Sequence, residues 1–218
     1  MPQLPLFPLH TVLFPGGALP LLVFEPRYRE MIGRCLEEDA ELGVVLLKEG
    51  EEVGEGPQVP YDVGTTARIV ESERLPDGRL QVLVRGRRRF RIAGLDRTRT
   101  YLVGDVAPVE DEHDDALAEQ ARAGEVRRLF ERYYRMALAV TDQWTAEVRA
   151  PRDPARLADY VGQRLEVDPA VKQALLEEQN VLRRLVIEAE VIEVETDRLE
   201  QRLRVARAAR FGTLGALN

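Results

Sequence analysis

The chain has 218 residues, 44% of them hydrophobic and 32% charged, with a formal net charge of −7 at pH 7. That is enough apolar side chain for one large domain or two small ones, and the acidic balance disfavours a dedicated nucleic-acid binder, whose affinity for phosphate comes from clustered lysine and arginine. Cys35 is the single cysteine, which excludes an intrachain disulfide and a cysteine-based metal cluster and fits a reducing compartment.

The first predicted elements are strands. From Leu4 to about Val109, runs of Val, Leu and Ile are punctuated by Pro-Gly, Glu-Gly and Asp-Gly. Prolines at 2, 5, 8, 15 and 20 interrupt any signal-peptide core, and the longest apolar run, Ala18 to Phe24, is far shorter than the roughly 20 residues of a membrane helix. A soluble, cytoplasmic protein with no membrane partner is expected. One helix should interrupt the strands, from Pro26 to about Glu38, because Met31, Ile32, Cys35 and Leu36 recur at helical spacing and proline suits a first helical turn. The clearest hairpin is Leu75-Pro76-Asp77-Gly78-Arg79-Leu80, with Leu80, Val82 and Val84 on one face and a further strand at Arg89 to Ile92.

Glu110 to Asp115 is a run of carboxylates around His113, read as a solvated connection, and beyond it the pattern turns helical. Apolar stripes run through Val126, Leu129, Phe130, Tyr133, Ala137 and Leu138, and through Leu157, Tyr160, Val161 and Leu165. Asp153-Pro154 and Asp168-Pro169 each place a capping carboxylate before a first-turn proline. A last helix should begin after Asn180, with a seam at Leu182, Leu185, Ala189, Ile192, Thr196, Leu199, Leu203 and Ala206. From Thr196 to Phe211 that seam has no obvious cover within the chain, so it should fray or pair with another molecule, a monomer being preferred to a homodimer. The expected organisation is α+β: a mainly antiparallel β-domain over 1–109 with one short helix, then a helical bundle over 116–211 ending in a long helix.

Three blocks occur in one order: LPLFPLHTVLFPGGALPLLVFEPRYREMIGRCL with ELGVVLL over Leu4 to Leu47, VGTTARIVESERLPDGRLQVLVRGRRRFRI over Val63 to Ile92, and DPARLADYVGQRL over Asp153 to Leu165. Together they resemble the substrate-binding domain of Lon proteases, over roughly Leu4 to Arg204. The resemblance implies a PUA-like β-domain and a non-catalytic recognition role. It also implies binding of exposed apolar or unfolded polypeptide, with a protease or chaperone as a further partner. No GxxxxGK[ST] phosphate loop occurs, Ser72 is the only serine, and Lys48 and Lys172 are the only lysines, so neither ATP hydrolysis of that type nor a Ser-Lys dyad is expected. No catalytic residue, cofactor or metal site is expected, since His10 and His113 stand far apart and read as turn and linker residues.

Two candidate sites remain. In the first, Arg27 and Tyr28 flank a groove with apolar contact from Phe14 and Pro15. The competing expectation puts Tyr28 in the core, pairs Arg27 with a carboxylate, and leaves Pro15-Gly16 as turn chemistry. The second is a basic patch of Arg85, Arg87, Arg88, Arg89 and Arg91, in a segment where ten arginines between Arg68 and Arg99 face Glu71, Glu73, Asp77 and Asp96. PUA-like folds include RNA binders, so these arginines are the alternative reading. Against it, Phe90 is the one aromatic in the run and is expected to point inward, leaving the arginines to solvate an open face and discourage edge pairing. Trp144 is either a cover between helices or an interaction anchor.

Overall fold

The computed structural model of the chain describes residues 2–54, 56–140 and 148–214, with side chains as far as Val205. It falls into two compact units, one of residues 1–112 with 162–179 and one of residues 113–161 with 180–218.

The first unit is a sheet of seven strands with helices beside it. The strands are β1 (Gln3–Leu9), β2 (Ala18–Val23), β3 (Leu42–Glu49), β4 (Val59–Pro60), β5 (Val63–Arg74), β6 (Leu80–Asp96) and β7 (Val103–Pro108). β1 pairs parallel with β3 and antiparallel with β7, and β3–β5, β5–β6 and β6–β7 are antiparallel, so the ladder closes on itself. β2 pairs with the first half of β6, and β4 with the end of β3. Side-chain alternation explains the inside: Leu80, Val82 and Val84 are buried with Phe7, Leu9, Val23, Val44 and Val103, while Leu4, Leu6, Val45, Phe90, Leu102 and Val106 form a second cluster.

Where two strands were expected, β6 is one strand of 17 residues. Its ladder with β5 shifts register between Thr65 and Ala67, and this bulge lets the strand bend and continue. The Phe14–Gly17 turn closes onto the strand here: Gly86 N–H donates to Gly17 O and Gly16 N–H to Gly86 O, both at 2.9 Å. A Cβ at Gly86 would stand 2.3 Å from Phe14 O, so only glycine admits the turn.

Helix α1 (Pro26–Glu37) starts at proline and buries Tyr28, Met31, Ile32 and Cys35. Burial pushes the Cys35 thiol up to about 11. A thiol kept protonated by folding favours the folded state below its ordinary value of 9.0, and that contribution is lost as pH rises from there towards 11. Native protein at pH 8 should therefore leave Cys35 unmodified by iodoacetamide, and denaturant should release one reactive thiol, as counted by mass spectrometry. Rapid native labelling would contradict the burial.

The expected division into 1–109 and a continuous helical unit over 116–211 differs from this arrangement in one respect. Residues 162–179, including α4 (Pro169–Glu177), belong with the strands. Gln163 Oε1 accepts from Phe14 N at 2.9 Å, Gln173 Nε2 donates to Val63 O at 2.9 Å, and Leu165, Leu175 and Leu176 are buried. Sequence periodicity reports that a segment is helical, not which core it joins. Asp168 caps α4 as expected, accepting from Ala170 N at 2.7 Å.

The second unit packs α2 (Ala116–Val140) against α5 (Val181–Leu214), with α3 (Pro154–Arg164) as far as Val161. Asn180 Oδ1 caps α5, accepting from Arg183 N at 2.9 Å. Phe130 stacks on Tyr134 at 5.4 Å and meets Tyr160 edge-on at 5.9 Å. The seam expected to lie open from Thr196 is buried as far as Leu199, and Arg132 on α2 pairs with Glu200. Arg184 and Glu188, one turn apart, are fully buried with Asp159, whose Oδ1 lies 4.0 Å from Arg184 Nη2. No described helix is long and apolar enough to cross a membrane.

Candidate functional site

Ala18 to Phe24 is apolar throughout, so a strand made from it sends half of those side chains outward. Val23 goes into the core, while Leu22 and Phe24 are 46% and 48% exposed. With Pro20, and with Val53, which is 55% exposed on the loop after β3, they border a cleft of about 160 Å³. Phe7, Leu9, Leu21 and Tyr28 form its inner lining.

The polar residues around the cleft hold its shape. Tyr28 stacks on Phe7 with ring centroids 4.4 Å apart, and its hydroxyl lies 3.2 Å from Gln58 Oε1. Burial raises the Tyr28 pKa above its ordinary value of 10.0, so the ring is a neutral phenol at physiological pH. Arg27 lies over the Tyr28 ring at 4.5 Å and pairs with Glu25 at 3.1 Å. Arg27 Nη2 also donates to Glu52 O at 3.3 Å, Gly54 N to Glu25 Oε2 at 3.2 Å, and Gln58 Nε2 to Glu51 O at 2.7 Å. These contacts fasten the loop carrying Val53 to the start of α1, so the cleft is largely preformed.

The structure brings Arg27 and Tyr28 together, as a pair that supports the cleft from beneath. Tyr28 is only 3% exposed, as the core expectation for it had it. Phe14 does not join them. It is 0% exposed, and a Cβ on Gly162 would fall 2.6 Å from its ring, so Phe14 fills a notch in the helical segment instead of a groove. Pro15 lies in the turn before β2, whose first residue, Ala18, is six residues and so about 20 Å from Phe24 at roughly 3.3 Å per residue. Pro20, Leu22, Phe24 and Val53 are the apolar residues that the sequence reading passed over. The period-two placement of the first three in an all-apolar strand was the available signal.

The arginines of β6 also separate. Arg85, Arg87, Arg88 and Arg91 are exposed, but Arg89 is 4% exposed and forms an ion pair with Asp111. The expectation that Arg89 solvates an open face is corrected by that partner and by the bulge, which changes which side chains face out. Phe90 is 1% exposed, so the run presents no stacking platform for a nucleobase. His113 is less isolated than a linker residue, with Nδ1 at 2.9 Å from Oε2 of the buried Glu119. Among the described residues no group of three or more His, Cys, Asp or Glu is placed to hold a metal ion. Trp144 lies outside the described residues.

The family model of the ATP-dependent protease La (LON) substrate-binding domain matches residues 3–194. The chain belongs to this family. The Lon substrate-binding region thus accounts for both units, and the match is to that domain, not to the ATPase or protease domains. Lon protease 1 of Hydrogenovibrio crunogenus is 30% identical over 197 residues, covering 89% of this chain and 24% of that protein. The Lon protease of Escherichia coli K12 is 27% identical over 204 residues, 93% of this chain and 26% of the relative. The chain therefore spans about a quarter of the length of these curated relatives. Among solved structures, a Lon N-terminal domain protein from Xanthomonas campestris superposes with a TM-score of 0.61 at 29% identity, covering 85% of this chain and 95% of that one. The N-terminal domain of a Mycobacterium avium complex Lon protease gives a TM-score of 0.67 at 22% identity, covering 88% and 98%, a likeness of fold.

Proposed function

We propose that this Lon-like substrate-binding module takes up exposed apolar or unfolded polypeptide at the cleft beside β2, and does so without chemistry of its own. The observation that carries this reading is the convergence of Leu22, Phe24 and Val53, each about half exposed, on a preformed apolar cleft. Large apolar side chains grouped at a surface depression mark contact sites more than scattered ones do. Recognition by side-chain burial fits better than strand addition. Among the described residues β2 pairs only with β6, yet Pro20 at its centre has no N–H to offer an incoming strand. In a cytoplasmic quality-control setting, the bound chain would pass to a protease or chaperone partner. The protein itself is expected to hydrolyse no ATP and to cleave no unfolded substrate, because the chain holds no phosphate loop and no Ser-Lys dyad.

The test is fluorescence anisotropy of a labelled, extended peptide rich in leucine and phenylalanine. Burying one such side chain is worth about 1.5–3 kcal/mol, and 1.4 kcal/mol is tenfold in affinity. The double variant Leu22→Ser/Phe24→Ser should therefore bind at least about tenfold more weakly at an unchanged melting temperature. Equal affinity in the variant would move the site elsewhere.

A further inference from the structure

Beyond the cleft, the outward face of β2 and β6 has a charge pattern that follows from register. Side chains opposite one another in a ladder share a face. Ala18 of β2 stands beside Arg85 of β6, which stands beside Arg68 of β5; the next outward rows are Pro20 with Leu83 and Glu71, and Leu22 with Gln81 and Glu73. Apolar positions thus occupy the β2 side, Arg85 and Arg68 close one end of the strip, and Glu71 and Glu73 line the distant strand, two strand spacings or about 10 Å from β2. Arg87 continues the basic end along β6, next to Gly86 and the exposed Gly16.

These arginines differ in what they already hold. Arg68 is committed to Asp39, and Arg89 to Asp111. Arg85 and Arg87 are exposed, and among the described residues neither has a carboxylate within ion-pair distance, in a chain whose net charge is −7. Arg27, Arg34 and Arg79 of this unit are likewise paired with carboxylates. Among the exposed arginines of this unit that hold no carboxylate, Arg85 and Arg87 are the ones at the end of the apolar strip.

We infer that the strip selects polypeptide whose apolar stretch is flanked by acidic side chains, with the carboxylates at Arg85 and Arg87 and the apolar residues over Pro20, Leu22 and Phe24. The inference rests on the polypeptide-binding function proposed above and adds to it a sequence preference. Exposed ion pairs are individually weak and screened by salt. Two of them should yield a preference of about threefold to tenfold at low ionic strength that fades towards about 0.5 M salt.

Three labelled peptides with one apolar core and Asp-Glu, Asn-Gln or Lys-Lys flanks test this against the intact protein, Arg85→Gln/Arg87→Gln, and Leu22→Ser/Phe24→Ser. The expected result is tighter binding of the acidic-flank peptide by the intact protein. The arginine variant should lose that preference and keep its affinity for the neutral-flank peptide. Equal affinity of the intact protein for acidic and neutral flanks overturns the inference while leaving polypeptide binding in place. A preference that survives in the arginine variant also overturns it, by locating charge recognition elsewhere. Failure of the intact protein to bind any of the three overturns the proposed function, and the inference with it. Melting temperatures of both variants, expected to be unchanged, exclude misfolding as the cause of any loss.

Discussion

Phe14→Ala should cost about 3–5 kcal/mol of unfolding free energy, the range for truncating a buried phenylalanine. Phe14 is 0% exposed, its ring lies against Gly162, and its own N–H donates to Gln163 Oε1 at 2.9 Å. The adjacent Leu13 carbonyl is held as well, accepting from Thr65 Oγ1 at 2.6 Å. With the backbone fastened on both sides, the site cannot collapse around a missing ring, which puts the cost at the upper part of that range. At about 2–4 °C per kcal/mol for a chain of this length, the melting temperature should fall by roughly 10 °C. Phe24→Ala provides the contrast: a side chain 48% exposed has little stability to lose, and its effect should appear in peptide affinity. Two melting curves and two binding curves check the pair. A stable Phe14→Ala protein that has lost peptide binding would put Phe14 back at the surface site.

The second large effect concerns where the chain can be cut. A fragment ending at Glu112 contains every strand among the described residues, yet it should fail to unfold cooperatively. It lacks residues 162–179, and with them the buried Leu165, Leu175 and Leu176 and the Gln173 donor to Val63 O. Three buried leucines contribute about 1.5–3 kcal/mol each, which compares with a total stability of about 5–15 kcal/mol for a typical domain. Denaturant titration of the fragment should show a broad, shallow transition and binding of a hydrophobic dye. A sharp transition at the midpoint of the intact protein would mean that residues 1–112 suffice.

Much of the architecture was legible because the signals were local. The start of α1 at Pro26, the 75–80 hairpin with Gly78 at φ 83°, the Asp168 cap and the start of α5 after Asn180 all depend on residues within a few positions of one another. What was not legible depended on distant partners. Phe14 reads as part of a surface turn until Gly162 and Gln163 arrive from about 150 positions away. Arg89 reads as a solvating charge until the β6 bulge and Asp111 enclose it. The seam at Leu199 reads as open until α2 covers it. Of the proposed site, the sequence pointed to Arg27 and Tyr28, which the structure places beneath the cleft. Its rim was hidden because an all-apolar strand gives no contrast between inward and outward positions.

The most direct test of the account is hydrogen–deuterium exchange of the intact protein with and without the extended apolar peptide. The account predicts slowed exchange across residues 18–28 and 51–54, with residues 181–199 of α5 unchanged. Protection confined to α5, or none at any peptide concentration that saturates anisotropy, would contradict the placement of the binding surface on β2 and the start of α1.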